Sequence, residues 1–283
     1  MPTMTLPAVV GGWTLQRLLG RGGAAVVHQA VDSQGRQAAL KLMALPPAEA
    51  DPVADEALRR FEQEAVIGAR LAHPHIVSPL GSGRDGPWAW IAFPLLAGGD
   101  LSAHGREPNL LPWQAVVSLA TALLAALSHA HEQGVLHRDL KPANVLLGAS
   151  GGHPQIADFG AARATDSEVT RSGLSVGTPA YMAPEALAGM DAGPRGDIYA
   201  LGVMLYELLA GRLPFDETSM GALLRAVAAG QSPRLASVAP LAPVALVSWV
   251  EALMSRDPAR RPPSARTALA QLRALSLRDI PQP

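Results

Sequence analysis

The chain has 283 residues, 48% of them hydrophobic, which is enough for one large domain or for two lobes around a shared cleft. A formal net charge of −1 leaves neither sign in excess, so no nucleic-acid partner and no membrane association are expected. The absence of cysteine excludes a disulfide framework and a thiol nucleophile, and fits a cytoplasmic protein.

The start, MPTMTLPAVVGG, lacks the basic region of a secretory signal. Residues 13–42 are short apolar runs punctuated by glycines and by the turn-like DSQG, a pattern that predicts consecutive antiparallel strands. From Asp51-Pro52 the spacing changes, and Phe61, Ala65, Ile67 and Leu71 predict a helix that stops at His73-Pro74. Strand-like segments return over 76–96 around SGRDG, and Leu96-Ala-Gly-Gly-Asp100 reads as a linker. Beyond it the sequence is helical and alanine-rich, interrupted by VLHRDLKPANVLL at 135–147 and by a long Gly/Ser/Thr/Pro segment at 158–184. The most apolar stretch, Ala115 to Leu127, is shorter than the roughly 20 residues of a membrane span and reads as a core helix. A small strand-rich lobe and a larger helical lobe, joined near residue 95, follow from this order.

Several positions carry chemistry. Gly20, Gly22 and Gly23 lie between two apolar strands, where a missing Cβ would let backbone N–H groups approach a phosphate, although such a hairpin can equally be a plain turn. Lys41 ends a half-buried strand and needs a partner to offset desolvation, or else it snorkels from a strand edge; Glu64 on the following helix is the candidate partner. Asp139 and Asn144 could serve a hydroxyl and a cation, Lys141 a phosphate, and His137 could be a packed core histidine. Asp158 follows a short apolar strand, and a carboxylate beside an amide oxygen suits Mg²⁺.

In order, GRGGAAVV, AALK, Glu64, HRDLKPAN, DFG and Ala183-Pro184-Glu185 resemble the signature set of the Hanks-type serine/threonine protein kinases, with the flavour of bacterial members, from about Trp13 to Leu275. The resemblance implies an α+β, two-lobe fold spanning 11–275, with the small lobe to about 93, a hinge at 94–98, the large lobe from 99, and tails at 1–10 and 276–283. It implies that Gly20 and Gly22 cover ATP phosphates and that Lys41, oriented by Glu64, holds the α- and β-phosphates. Val27 and Ala39 line the nucleotide, Phe93 stands behind the adenine, Pro94 and Leu96 form the hinge, and Asp100 meets the ribose. Asp139 orients the substrate hydroxyl, Lys141 steadies the γ-phosphate, and Asn144 and Asp158 hold Mg²⁺, with Mn²⁺ as an alternative ion.

Lys141 and Thr178 in HRDLKPAN and GTPAY mark the serine/threonine branch, so protein Ser/Thr hydroxyls are the expected substrates. Thr170 and Ser172 occupy the autophosphorylation positions, with Ser167 or Ser175 as substitutes, and a phosphate there is expected to meet Arg138, with a transient dimer for trans-autophosphorylation. Asp197 is expected to brace the catalytic-loop backbone, and Arg261 to pair with Glu185. Two positions depart from the family: Ala25 replaces the third glycine, and Gly68 stands where a bulky side chain would pack on Phe159, which suggests a loosely seated helix that phosphorylation or a partner must fix. A nucleotide-binding scaffold without catalysis and an aminoglycoside-type phosphotransferase are the competing functions.

Overall fold

Alternation governs the small lobe. The computed structural model describes residues 7–22, 25–45, 52–149, 152–159 and 178–275. Six antiparallel strands, β1 (Val9–Val10), β2 (Trp13–Arg21), β3 (Ala25–Val31), β4 (Gln37–Ala44), β5 (Gly81–Asp85) and β6 (Trp88–Pro94), form one sheet in the order β1-β2-β3-β4-β6-β5. Even-numbered residues such as Leu40, Leu42, Trp88 and Ala92 bury one face with Trp13 and Val10. Met43, Ala89 and Ile91 bury the other face against Phe61 and Ala65 of helix α1 (Pro52–Arg70). Period-two side chains therefore sort the strand sequence into two apolar layers. Strand β1 corrects the expected 1–10 tail, since Val10 pairs with Trp13 and is buried.

Helix α1 starts on Pro52 and carries Asp55 in its first turn and Arg70 in its last, both favourable to the helix dipole. Its buried residues Phe61, Glu64, Ala65 and Gly68 fall at i, i+3, i+4 and i+7, which is one face of a helix. Gly68 lies on this face against the segment that follows α1. A Cβ added there would lie 2.9 Å from Cδ of Pro79. The expectation that Gly68 leaves α1 underpacked is thus corrected: the glycine lets α1 sit against a proline ring, and Ile67 packs on the core of the larger lobe.

The larger lobe is built on α2 (Trp113–Glu132), α4 (Gly193–Ala210), α7 (Val244–Leu253) and α8 (Ala265–Ala274), with the shorter α3 (Pro184–Leu187), α5 (Met220–Ala229) and α6 (Leu235–Val238) around them. Helix α2 runs 20 residues, longer than the apolar stretch read from the sequence, and by length and composition it could cross a membrane. Nine of its residues are buried, eight of them in the same core as α4, α7 and α8, so it is the central helix of this lobe. Leu71 and Ile76, which follow α1, also enter that core and tie the two lobes together. Helix α4 begins at Gly193, with Pro194 suited to its first turn.

Strands β7 (Val145–Leu147) and β8 (Pro154–Ile156) form a separate two-stranded ladder, with Val145 opposite Ile156 and Leu147 opposite Pro154. One end of this hairpin carries Asn144 and Asp158; the other is joined to the linker between the lobes. There Gly98 N–H donates to the Leu147 carbonyl at 3.0 Å and Leu147 N–H donates to the Gly99 carbonyl at 2.9 Å. A Cβ on Gly98 would stand 2.2 Å from the Gly148 carbonyl oxygen, so this crossing requires a glycine.

Candidate active site

The sheet register gathers the small-lobe residues. Gly20 pairs with Val27, Val27 with Lys41, and Ala39 with Phe93. Directly opposed residues share a face, so Val27, Ala39, Lys41 and Phe93 lie on the α1 side of the sheet, above the larger lobe. Gly22 closes the β2–β3 turn by donating its N–H to the Ala25 carbonyl at 2.8 Å. Pro94 ends β6 and Leu96 lies in the linker. Asp100 caps the short 3₁₀ turn Leu101–His104, its Oδ1 accepting from the Ser102 N–H at 2.8 Å.

Lys41 joins the lobes. Its Nζ lies 2.8 Å from both carboxylate oxygens of Glu64 and 3.1 Å from Oδ1 of Asp158. Burial opposes the charge on Lys41, but Asp158 and Glu64 together hold its ammonium above the usual range. Burial pushes the Glu64 carboxyl up to about 7, with Asp158 adding to the rise and Lys41 opposing it. Burial would also raise Asp158, and Lys41 reverses this, keeping that carboxyl below its ordinary range. One cation thus serves two carboxylates, and Asp158 is the more readily ionised of them.

On the larger lobe, Asp139 Oδ2 accepts from Lys141 Nζ at 2.8 Å and from Asn144 Nδ2 at 3.1 Å. Asn144 Nδ2 also donates to the Asp139 carbonyl at 2.7 Å, which orients the amide and leaves its oxygen as a ligand. That oxygen and the Asp158 carboxylate are the hard donors Mg²⁺ prefers, so the residues fit the ion. Asp158 and Arg138 both have left-handed backbone, at φ 60° and 62°, a conformation that costs energy outside glycine and persists where the surroundings impose it.

Those surroundings are buried polar groups. Asp197 is 2% exposed and accepts from the backbone N–H groups of His137 at 2.9 Å and Arg138 at 2.8 Å, as expected of it. His131 bonds the same carboxylate at 2.8 Å. Burial would raise the Asp197 carboxyl, but His131 and the backbone donors hold it low. His137 is a packed core histidine: Nε2–H donates to the Ala157 carbonyl at 2.9 Å, Nδ1 accepts from the Asp139 N–H at 3.3 Å, and its ring meets Phe159 edge-on at 4.8 Å. Arg261 pairs with Glu185 through both nitrogens, at 2.6 and 2.8 Å, as the sequence led us to expect.

Thr178 opens a 3₁₀ turn, Thr178–Tyr181. The expected phosphosites Thr170 and Ser172, with Ser167 and Ser175, lie outside the described residues. Arg138 Nη2 stands 3.8 Å from Oδ1 of Asp191, an ion pair the sequence reading missed. It also missed Tyr181, whose hydroxyl donates to Glu207 Oε2 at 2.6 Å and is pushed far above the usual phenol range by burial and then by Glu207. The available signal was Glu207 itself, a carboxylate in the otherwise apolar run YALGVMLYELLA.

Comparison with known proteins agrees with this arrangement. The protein kinase domain family model matches residues 13–271. The chain is 37% identical over 287 residues to the DNA damage-responsive serine/threonine-protein kinase RqkA of Deinococcus radiodurans, covering 99% of this chain and 42% of that protein. It is 37% identical to serine/threonine-protein kinase PknJ of Mycobacterium tuberculosis, covering 91% of this chain and 44% of the relative. The chain therefore spans less than half the length of these two relatives. The crystal structure of the Mycobacterium tuberculosis PknI kinase domain superposes with a TM-score of 0.70 at 31% identity, covering 95% of this chain and 99% of that one. With its two lobes and its cleft residues in this order, the chain belongs to the protein kinase domain family.

Proposed function

We propose that this chain is the catalytic domain of an ATP-dependent serine/threonine protein kinase that transfers the γ-phosphate to Ser or Thr hydroxyls of proteins and phosphorylates its own activation segment. The observation that carries the reading is the contact of Lys41 with both Glu64 and Asp158 across the cleft, at 2.8 and 3.1 Å. It is supported by Asp139, held by Lys141 and Asn144.

Phosphoryl transfer needs positioning and charge stabilisation more than covalent help from the protein. Bound Mg²⁺-ATP supplies the transferred phosphoryl group and a counter-charge for it. Asn144 and Asp158 would hold the ion, freeing Lys41 from Asp158 to pair with phosphate oxygens while Glu64 keeps it in place. Asp139 would accept the proton of the substrate hydroxyl, and Lys141 would neutralise charge beside it. Serine/threonine specificity rests on Lys141 and Thr178 and on the names of the relatives above.

The test is incubation of the purified protein with Mg-ATP and a Ser/Thr-containing protein substrate, with Asp139→Asn alongside and phosphosites read by mass spectrometry. Phosphate on Thr170 or Ser172 and on the substrate, in the parent only, is the expected result. Nucleotide binding with no phosphate on any protein would overturn the catalytic reading.

A further inference from the structure

A cavity of about 630 Å³ opens on the larger lobe away from Lys41 and Asp139, between α2, the 3₁₀ turn Leu101–His104, the β7–β8 hairpin and the end of α8. This volume lies within the roughly 300–1,000 Å³ of small-molecule sites. Leu101, Leu119, Ala122 and Leu147 supply an apolar lining. The two hydroxyls on the α2 wall make no demand on an occupant, because Ser118 donates to the Gln114 carbonyl at 3.1 Å and Thr121 to the Val117 carbonyl at 2.9 Å.

The charged and titratable groups around the cavity are one-sided. Arg273, His75, His104 and His153 line it, and among its described lining residues there is no carboxylate. Two of the imidazoles are fixed by backbone. His75 Nδ1–H donates to the Pro154 carbonyl at 2.8 Å, and His104 Nδ1–H donates to the Asn109 carbonyl at 3.0 Å. Each ring keeps Nε2, an acceptor while neutral and a donor once protonated, so it matches either form of a carboxyl group. Arg273 matches the carboxylate. His153, at φ 48°, holds a left-handed backbone that a non-glycine residue adopts only under constraint, and its ring stacks on His75 at 6.4 Å.

The walls of this cavity continue into the active site. Leu147 and Pro154 are the paired residues at one end of the β7–β8 ladder; at the other, Ala157 N–H donates to the Asn144 carbonyl at 2.8 Å, next to Asp158. The backbone on either side of His75 and Ile156 is also bonded, through Ile156 N–H to the His75 carbonyl and Val77 N–H to the Ile156 carbonyl, both at 2.9 Å. Leu147 is further tied to the lobe linker through Gly98 and Gly99.

We propose that this cavity binds a small amphiphilic carboxylate, its apolar body against Leu101, Leu119 and Leu147 and its acid group at Arg273 and the imidazoles, and that occupancy is read in the active site through the β7–β8 hairpin. The paired strands of the hairpin, Val145–Leu147 and Pro154–Ile156, have the cavity at one end and Asn144 and Asp158 at the other. Linkage then requires that the amphiphile and the metal-nucleotide complex change each other's affinity by the same factor.

The experiment is calorimetric titration of the protein with decanoate and with decyltrimethylammonium, each below its micelle concentration, followed by titration of Mg-ADP with and without saturating decanoate. Two variants accompany it: Ser118→Trp, an exposed position whose indole would enter the cavity, and Arg273→Gln. One equivalent of decanoate should bind the parent, about tenfold more weakly to Arg273→Gln, and not to Ser118→Trp, with the cationic amphiphile unbound. Saturating decanoate should shift Mg-ADP affinity by about fivefold or more in the parent and leave it unchanged in Ser118→Trp. Equal decanoate binding by Ser118→Trp and the parent, or equally tight binding of the cation, would overturn the site. Binding without any change in Mg-ADP affinity would overturn the coupling.

Discussion

The two halves of the cleft are held by different physics. On the larger lobe, Asp139 and its neighbours rest on groups fixed by multiple short hydrogen bonds in the interior, with Asp197 and Arg261 each 2% exposed. On the small lobe, Lys41 is placed by an ion triad whose outer member, Asp158, has a side chain 39% exposed. One half is organised before any ligand arrives. The other is organised by charge, through contacts of Lys41 and Asp158 for which a metal ion or phosphate would compete. A kinase cleft built this way keeps its acceptor side rigid and its nucleotide side responsive.

Breaking the rigid half should cost most. Arg261→Ala leaves Glu185 without its bidentate partner, and an expected loss of about 3–5 kcal/mol is read as a lowered urea midpoint. Asp139→Asn removes the proposed proton acceptor but keeps an amide that Lys141 and Asn144 surround; kcat should fall by roughly 10²–10⁴-fold with the urea midpoint little changed. If both variants altered stability alone, the division between scaffold and chemistry would fail.

The small lobe gives the subtler tests. Gly68→Leu forces a side chain onto the Pro79 ring, and a cost of about 1–3 kcal/mol together with a raised KM for ATP is expected as α1 is pushed away. A stabilised and more active variant would mean the helix had been underpacked after all. Glu64→Gln addresses the charge. A carboxyl raised from 4.5 to about 7 on folding favours the folded state fully below pH 4.5, and this contribution is lost as pH climbs through 7. The stability of the parent relative to Glu64→Gln should therefore fall across that window by roughly 3 kcal/mol in the absence of nucleotide. A flat difference across the same pH range would show that Lys41 alone sets the state of Glu64.

The sequence was most readable where function concentrates unusual residues at close spacing. HRDLKPAN and DFG announce themselves, and the helix carrying Glu64 is visible from Phe61, Ala65 and Leu71. What escaped reading is what distant segments decide. Val9–Val10 looks like a loose end before two glycines, and only its pairing with Trp13 makes it a strand. Gly68 looks like a packing defect until Pro79, eleven positions on, is found against it. Asp191 sits in an undistinguished turn, and its approach to Arg138 comes from how α3 leads into α4. In each case local pattern was correct about chemistry and silent about contact.

The layered small sheet has an optical consequence. Of the five tryptophans in the chain, Trp13, Trp88 and Trp90 all pack in the even-numbered layer of that sheet, while Trp113 and Trp249 belong to the larger lobe. Trp90 also lies against Gly83, where a Cβ would come within 3.2 Å of its indole. Three of the five indoles therefore sit in one lobe and can report on it without any label. Replacing Trp113 and Trp249 with phenylalanine would leave a chromophore set that follows the opening and melting of the nucleotide-side lobe by itself.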